Sequence, residues 1–300
     1  MTAEHDSAHA GVIPLNPDTL RNWPLPMPSA DGDKEERGRI LVIGGSREMP
    51  GAVILAAIAA LRAGAGKLTI ATGASVAQLI ALAIPESRVI GLPETDAGGI
   101  AQHAIELVAE VAGKLDAALI GPGMQDEEAT CAFVHALLPR FGRASVVLDA
   151  FAMSAVVGIA KDVAAPVLIT PHAGEMAHLC GIDKDAVLAD PRHLAQTAAQ
   201  RWNATVALKG ATTLITAPDG RLWQHSGGNI GLAISGSGDT LAGIIAGLAA
   251  RGAPLEQAGA WGVTLHAHAG KQLAGRVGPL GYLASEIAAE IPQLMYAWST

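Results

Sequence analysis

The chain has 300 residues with a formal net charge of −8, and half of its residues are hydrophobic. This length permits one large domain or two small ones, and the apolar fraction favours a parallel sheet covered on both faces. The acidic balance, without any cluster of lysines or arginines, argues against nucleic-acid binding. The two cysteines, Cys131 and Cys180, provide neither a disulfide framework nor a CxxC metal pair. No signal peptide is recognisable and the longest apolar run, Ala52–Leu61, is too short to cross a bilayer, so we expect a cytoplasmic protein.

Residues 1–37 are predicted to form an irregular N-terminal arm with at most one short helix. Five prolines lie between Pro14 and Pro28, and the charge run DGDKEER follows them. Proline removes a backbone donor and restricts its neighbours, so a long regular element is disfavoured there. Residues 38–300 contain neither a linker nor an internal repeat, which predicts a single domain with no second domain fused to it.

From Arg39 onward, short β-rich runs alternate with longer helical patterns. The predicted strands are Arg39–Ile43, Lys67–Ala71, Ala117–Ile120, Ser145–Asp149, Val167–Thr170, Thr205–Leu208 and a hairpin of Thr212–Thr216 with Leu222–His225. The predicted helices include Ala52–Ala63, Glu127–Leu138, Pro191–Trp202, Thr240–Ala250 and Leu255–Leu273. Such alternation predicts an α/β fold with a doubly wound, mostly parallel sheet and helices on both faces.

In a sheet of this kind, ligands bind beyond the carboxyl ends of the strands. Five glycine-rich or polar turns follow predicted strands or precede predicted helices, and they are the places to look for a site. They are GGSREMPGA (44–52), GPGM (121–124), TPHAGE (170–175), KGATT (209–213) and SGSGD (235–239).

The SGSGD turn is the most informative, because one charge, Asp239, stands there among small residues. Glycines allow successive backbone N–H groups to point into one concavity, and the start of a helix adds partial positive charge. This pattern is typical of an anion site suited to a phosphoryl group. Asp239 is then either an N-cap, which needs no ligand, or a general base that takes a proton from a hydroxyl attacking phosphorus. The run of small residues favours the base.

The other turns are weaker alone. Lys209 in KGATT is suited to nucleotide phosphates, although a surface turn between two strands is the better explanation of the segment taken alone. His172 in TPHAGE lies at the start of a helix, and a capping box from Thr170 to Glu175 would be too long by two residues, so capping explains the segment poorly. Gly123 in GPGM permits close approach of a ligand to the backbone. Asp126–Glu128, at the start of another helix, is explained by the helix dipole.

Taken together, the turns carry a resemblance that covers about residues 34–298. The motifs VIGGSREMPGA, AALRAGAGKLTIAT, IGPGM, VVLDA, LITPHAGE, VALKGATT and GGN-(x6)-GSGDTLAG occur in this order. This set resembles the ADP-dependent NAD(P)H-hydrate dehydratase family, a branch of the ribokinase-like superfamily. The resemblance implies a lyase that uses ADP, or ATP in some members, with Mg²⁺ to dehydrate the S form of NADH hydrate and NADPH hydrate. It also implies a homotetramer and a separate epimerase that interconverts the R and S hydrates.

Motif by motif, the resemblance assigns roles to individual positions. It implies that Asp239 is the catalytic base and faces the hydrated cofactor, whose pocket Ala52, Gly123 and His172 also line. On the nucleotide side it implies the residues Lys209, Gly210, Ala211, Thr212, Thr213, Asn229, Gly236 and Gly238. The sequence contains no cluster of carboxylates that identifies protein ligands for Mg²⁺.

Two alternatives remain open from the sequence. A ribokinase-like kinase acting on a thiazole or pyrimidine alcohol would use ATP and the same Asp239. A nucleotide-binding sensor would keep the pocket and need no base. Recovery of reduced-nicotinamide absorbance from NADH hydrate with ADP is expected of the dehydratase and not of the kinase, and normal turnover in an Asp239→Ala variant would contradict both enzymes.

Overall fold

The computed structural model describes residues 11–29, 35–160 and 163–299. The strands within them are β1 (Ile13–Pro14), β2 (Arg39–Ile43), β3 (Lys67–Gly73), β4 (Ser87–Leu92), β5 (Ala117–Ile120), β6 (Ser145–Leu148), β7 (Val167–Ile169), β8 (Thr205–Leu208), β9 (Thr212–Thr216) and β10 (Leu222–Ser226). They form one sheet in the order β1-β10-β9-β8-β7-β6-β5-β2-β3-β4. β9 is antiparallel to β8 and β10, and the other neighbouring pairs are parallel.

The helices are α1 (Pro17–Arg21), α2 (Pro50–Arg62), α3 (Ala77–Ala83), α4 (Ile105–Ala112), α5 (Glu127–Leu137), α6 (Ala173–Cys180), α7 (Lys184–Ala189), α8 (Pro191–Trp202), α9 (Ser237–Ala250), α10 (Leu255–Arg276) and α11 (Ala284–Ser299). The predicted mostly parallel α/β sheet is confirmed. The predicted strands and helices are also confirmed, with ends that differ by up to three residues. The two largest differences are three residues each: α9 begins at Ser237 rather than at Thr240, and α10 ends at Arg276 rather than at Leu273.

The sheet separates two apolar layers because successive side chains of a strand point to opposite faces. In β2, Ile40 and Val42 join one buried cluster, which includes side chains of α2, α9, α10 and α11. Leu41 and Ile43 join the other, which includes side chains of α4, α5, α6 and α8. Helices therefore cover both faces of the sheet, and its central strands are buried.

The N-terminal arm contains one short helix, as the prediction allows, and one short strand that the prediction lacks. Ile13–Pro14 pairs with β10 and extends the sheet by one short strand, and α1 follows it. Trp23 stacks on Trp223 with ring centroids 5.3 Å apart, and its carbonyl oxygen accepts a hydrogen bond from the Trp261 indole. Residues 1–10 and 30–34 of the predicted arm lie outside the described residues.

Close contact between α2 and α9 depends on two glycines. A Cβ on Gly243 would lie 2.1 Å from the carbonyl oxygen of Ala56, and one on Gly247 would lie 2.4 Å from that of Ala60. Any side chain at either position would push the helices apart, since real Cβ atoms do not approach so closely. The contact brings the first turns of α2 and α9 to the same carboxyl edge of the sheet.

No helix in the described parts of the chain combines the length and the apolar character that a membrane span requires.

Candidate active site

Three neighbouring strands end together in charged and polar residues. Asp149 follows β6, Thr170 follows β7 and Lys209 follows β8. The Thr170 hydroxyl donates to Asp149 Oδ1 at 2.6 Å, and Lys209 Nζ lies 3.7 Å from the same oxygen. Lys209 Nζ is also 3.7 Å from Glu175 Oε2. The ammonium group is thus held between two carboxylates at the carboxyl edge of the sheet.

The first turn of α9 lies directly beside Lys209. Gly236 is its N-cap and has a φ of 87°, a conformation that favours glycine. Within the described residues, the backbone N–H of Gly238 has no acceptor, as expected for the first turn of a helix. A Cβ on Gly238 would lie 3.6 Å from Lys209 Nζ. An N–H group and an ammonium therefore face one space without a side chain, which suits an anion.

The interpretation of Asp239 as an N-cap is wrong. The helix begins two residues before Asp239, and no side chain makes a capping hydrogen bond to it. Asp239 lies inside the first turn, where its carboxylate is free for other contacts.

The pKa of Asp239 is raised from 3.8 to about 6. Burial is the main cause, and repulsion from Asp149 adds to it, while attraction to Lys209 and a hydrogen bond from its own backbone N–H oppose the shift. A carboxylate with a pKa near neutrality is ionised at pH 7 and still accepts a proton readily, which are the properties of a general base.

A cavity of about 570 Å³ opens at this edge. Its lining includes all four residues predicted to face the hydrated cofactor, Ala52, Gly123, His172 and Asp239. Gly123 has a φ of 67°, and a Cβ there would lie 2.5 Å from the carbonyl oxygen of Met49. A side chain at Gly123 would therefore press on the chain that leads into α2.

The TPHAGE segment does form a helix cap, so the expectation that capping explains it poorly is also wrong. His172, rather than Thr170, is the N-cap of α6: its Nδ1 accepts hydrogen bonds from the backbone N–H groups of Gly174 and Glu175. Glu175 Oε2 in turn accepts from the N–H of His172 at 2.7 Å. The capping box fixes the orientation of the imidazole, which therefore caps α6 and lines the cavity at the same time.

The residues predicted to bind the nucleotide lie around Lys209 and in the turns beyond it. Gly210, Ala211 and Thr212 are exposed, and Thr213 is buried. Asn229 is the N-cap of a short 3₁₀ turn: its Oδ1 accepts from Gly231 N–H and from the Tyr282 hydroxyl. The Nδ2 atom of Asn229 is buried without a partner in the described chain.

Several residues of the site were missed in the sequence. Asp149 and Glu175 hold Lys209, and the rule that ligands bind at carboxyl ends of strands would have pointed to Asp149 in VVLDA. Glu127, Ser154 and His178 form a hydrogen-bonded group on the cavity wall. These three come from separate elements, so no local motif reveals them.

With this geometry in place, known proteins provide a comparison. The sequence model of the family described as NAD(P)H-hydrate dehydratase matches residues 40–293. The chain belongs to the NAD(P)H-hydrate dehydratase family. The ADP-dependent (S)-NAD(P)H-hydrate dehydratase of Xanthomonas campestris pv. campestris is a member with 50% identity over 276 residues, covering 92% of this chain and 93% of that protein. Other curated relatives are bifunctional NAD(P)H-hydrate repair enzymes, and the chain spans 50–54% of their length.

Solved structures agree with this family and establish the fold class. The ADP/ATP-dependent NAD(P)H-hydrate dehydratase of Bacillus subtilis, co-crystallized with ATP/Mg²⁺, has a TM-score of 0.83 and 29% identity, covering 95% of this chain and 99% of that chain. A ribokinase-like superfamily protein from Enterococcus faecalis V583 has a TM-score of 0.80 and 28% identity, covering 96% of each chain. The predicted ribokinase-like fold is confirmed.

Proposed function

We propose that this protein is an ADP-dependent dehydratase of the S form of NADH hydrate and NADPH hydrate, which releases NADH or NADPH, AMP and phosphate. Family membership and the name of the Xanthomonas relative support the reaction class and the substrates. ATP is a second nucleotide to test, because the Bacillus subtilis relative is described as ADP/ATP-dependent.

The chemistry accounts for a kinase-like site in a lyase. Hydroxide is a poor leaving group, so direct loss of water from the ring is slow. In the proposed first step, the ring hydroxyl attacks the terminal phosphorus of ADP, its proton moves to Asp239, and AMP departs. The carbon–oxygen bond then breaks with its electron pair leaving on phosphate, while the ring nitrogen donates electrons and the neighbouring ring carbon loses a proton. The products are the reduced nicotinamide and phosphate.

A single observation supports this assignment most strongly: Asp239 lines the cavity and also belongs to the helix turn that presents the Gly238 N–H beside Lys209. A substrate hydroxyl in the cavity beside the Asp239 carboxylate would also be next to a phosphoryl group held by the N–H and the ammonium. General base and anion site are therefore adjacent, as in-line phosphoryl transfer requires.

We propose that Lys209–Thr213, Asn229, Gly236 and Gly238 contact the nucleotide. The position of Lys209 between the strand edge and α9 favours contact with the phosphates. The exposed Gly210–Thr212 turn leaves backbone groups open to the rest of the nucleotide. Asn229 is partly exposed, so its side chain is not wholly enclosed by protein.

Mg²⁺ fits this edge as an ion carried mainly by the nucleotide. The described residues include no group of three His, Cys, Asp or Glu side chains that would form an all-protein metal site. Mg²⁺ commonly uses one or two carboxylates together with phosphates and water. Asp149 is the carboxylate we propose for it, since hydrogen bonding and ion pairing engage only its Oδ1 in the described structure. When bound, the ion would neutralise charge on the phosphates.

We further propose a homotetramer that works in the cytoplasm, with a separate epimerase supplying the S form. Exposed large apolar side chains such as Leu82 on α3 and Leu283 before α11 support association between copies. The two unpaired cysteines suit a reducing compartment.

The experiment is recovery of reduced-nicotinamide absorbance from NADH hydrate with ADP. We expect recovery in the wild type and a loss of at least ~10²-fold in an Asp239→Ala variant. Glu128→Ala is the matched control, because Glu128 is an exposed acid in the first turn of α5 and does not line the cavity. If neither ADP nor ATP gave recovery while a thiazole or pyrimidine alcohol were phosphorylated, the kinase would replace the dehydratase. Normal turnover in Asp239→Ala would contradict both enzymes.

A further inference from the structure

The wall of the cavity carries a polar group formed by three elements. Glu127 is the first residue of α5, Ser154 belongs to the 3₁₀ segment Ala150–Gly158 that follows β6, and His178 is on α6. The Ser154 hydroxyl donates to Glu127 Oε1 at 2.5 Å, and His178 Nε2 lies 2.9 Å from the same oxygen. All three residues line the cavity that also contains Asp239.

This arrangement leaves one acceptor unused. Both donors meet Glu127 at Oε1, while Oε2 has no hydrogen-bond partner in the described part of the chain. A carboxylate has about four acceptor positions, so an oxygen without donors at a cavity wall is a ready site for a ligand N–H group. The donors to Oε1 also fix the direction in which the carboxylate plane points.

The pKa of Glu127 and the pKa of Asp239 are shifted in opposite directions. Hydrogen bonds from Ser154 and His178 lower the pKa of Glu127, whereas burial raises the pKa of Asp239 to about 6. Two carboxyl groups in one site whose pKa values are shifted in opposite directions suit different chemical tasks. Glu127 stays ionised and can only accept hydrogen bonds, while Asp239 is able to take a proton.

The surroundings of Glu127 suit a small ring that carries a polar substituent. Phe151, in the same 3₁₀ segment as Ser154, is 44% exposed and lines the cavity with Met49 and Met124. Apolar and aromatic walls with few fixed polar groups are typical of small-molecule pockets. Besides its hydroxyl, the ring of the proposed substrate carries a primary carboxamide, whose nitrogen has two N–H donors.

We infer that Glu127, held by Ser154 and His178, binds the carboxamide N–H of the hydrated nicotinamide and so orients the ring hydroxyl toward Asp239. This inference rests on the proposed function and deepens it, because it names the substrate group that Glu127 on the cavity wall recognises. Ser154 and His178 are positioning residues, since they act through Glu127.

The test compares NADH with its acetylpyridine analogue, in which a methyl ketone replaces the carboxamide and cannot donate a hydrogen bond. Wild type is expected to bind reduced NADH at least about ten-fold more tightly than the analogue, as measured by equilibrium fluorescence titration. It is also expected to favour NADH hydrate over the analogue hydrate by a similar factor in kcat/KM, mainly through KM.

The Glu127→Gln variant is expected to lose this discrimination. Glutamine has only one side-chain oxygen, and if that oxygen accepts from Ser154, the NH₂ group faces the ligand and cannot accept the carboxamide N–H. Ser154→Ala is a second variant that keeps the carboxylate and is expected to reduce the discrimination. Glu128→Gln is the control and is expected to keep the full discrimination, since Glu128 is exposed and lies outside the cavity lining.

Equal binding of the two dinucleotides by the wild type would overturn the inference, and so would full discrimination in Glu127→Gln. An equal loss of affinity for both ligands in the variants would also overturn it, because it would assign Glu127 a structural role only. The binding titration needs no turnover. Failure of ADP-dependent recovery with intact discrimination would therefore count against the proposed reaction and leave the carboxamide site standing.

Discussion

Replacing Asp239 by asparagine is expected to stabilise the fold while it abolishes activity. The pKa of Asp239 is about 6 in the folded protein against an ordinary value of 3.8. The folded state therefore binds the proton more tightly than the unfolded state does. Stability contributed by the protonated carboxyl is present below about pH 3.8 and is lost as pH rises toward 6.

The size of this effect follows from the difference between the two pKa values. Ionisation of Asp239 lowers the free energy of unfolding by up to about 3 kcal/mol. The side chain is only half-buried, so the stabilisation expected from removing its charge is reduced to about 2 kcal/mol. Asparagine has similar volume and no charge, so Asp239→Asn should recover this amount at about pH 8 and about half of it at about pH 5. The cause is removal of a buried carboxylate that Asp149 repels.

The assay is urea unfolding of both proteins at the two pH values and at equal protein concentration, since association between copies would also alter apparent stability. Glu128→Gln is the control and should change stability by less than about 0.5 kcal/mol at either pH, because the side chain is exposed. If Asp239→Asn were less stable than the wild type at about pH 8, or if the difference did not depend on pH, the account of Asp239 as a buried, repelled carboxylate would be wrong.

Three further predictions concern activity. The kcat/KM of the wild type should fall about ten-fold per pH unit below about pH 6, because protonated Asp239 cannot act as a base. A flat profile of kcat/KM down to about pH 5 would contradict the role of Asp239 as the base. Gly238→Ala should lower kcat by roughly 10²-fold without loss of stability, because the new methyl group would stand 3.6 Å from Lys209 Nζ and crowd a phosphoryl group bound there. Gly113→Ala is the matched control, since a Cβ at Gly113 meets nothing within 4 Å. Unchanged kcat in Gly238→Ala would remove the anion site from the account. Lys209→Met should raise the KM for ADP at least about ten-fold. It should also move the acidic limb of the pH profile to higher pH, because attraction to Lys209 lowers the pKa of Asp239. A limb that moved to lower pH would contradict the assigned electrostatics.

Much of the sheet could be predicted because its central strands are short β-rich runs buried on both faces. The edge strands could not. Ser87–Leu92 pairs on one side only and is partly exposed, so it lacks the continuous apolar signal of a central strand. Ile13–Pro14 is two residues long, and its pairing with β10 accompanies the packing of Trp23 on Trp223, a contact between residues 200 positions apart.

The lining of the cavity could be predicted where one motif supplies one residue. Ala52, Gly123, His172 and Asp239 come from four motifs, and the cavity brings them together because each motif lies at the carboxyl edge. The start of α9 was placed too late because serine and glycine have low helix propensity, which the packing of α9 against α2 overrides.

Two features of the site depend on tertiary structure that no short motif reports. The capping role of His172 was missed because histidine is outside the usual set of N-cap residues. The hydrogen bonds of Glu127 join residues 27 and 51 positions away, so its place on the cavity wall follows only from the fold.

The most direct test of the central claim follows the oxygen atom of the ring hydroxyl. NADH hydrate labelled with a heavy oxygen isotope in that hydroxyl would be incubated with the protein and ADP, with a sample lacking protein to correct for exchange with water. If the hydroxyl is phosphorylated before it leaves, the label should appear in the released phosphate, in equal amount to the AMP and NADH formed. Label in water, with unlabelled phosphate, would contradict dehydration by way of a phosphorylated intermediate.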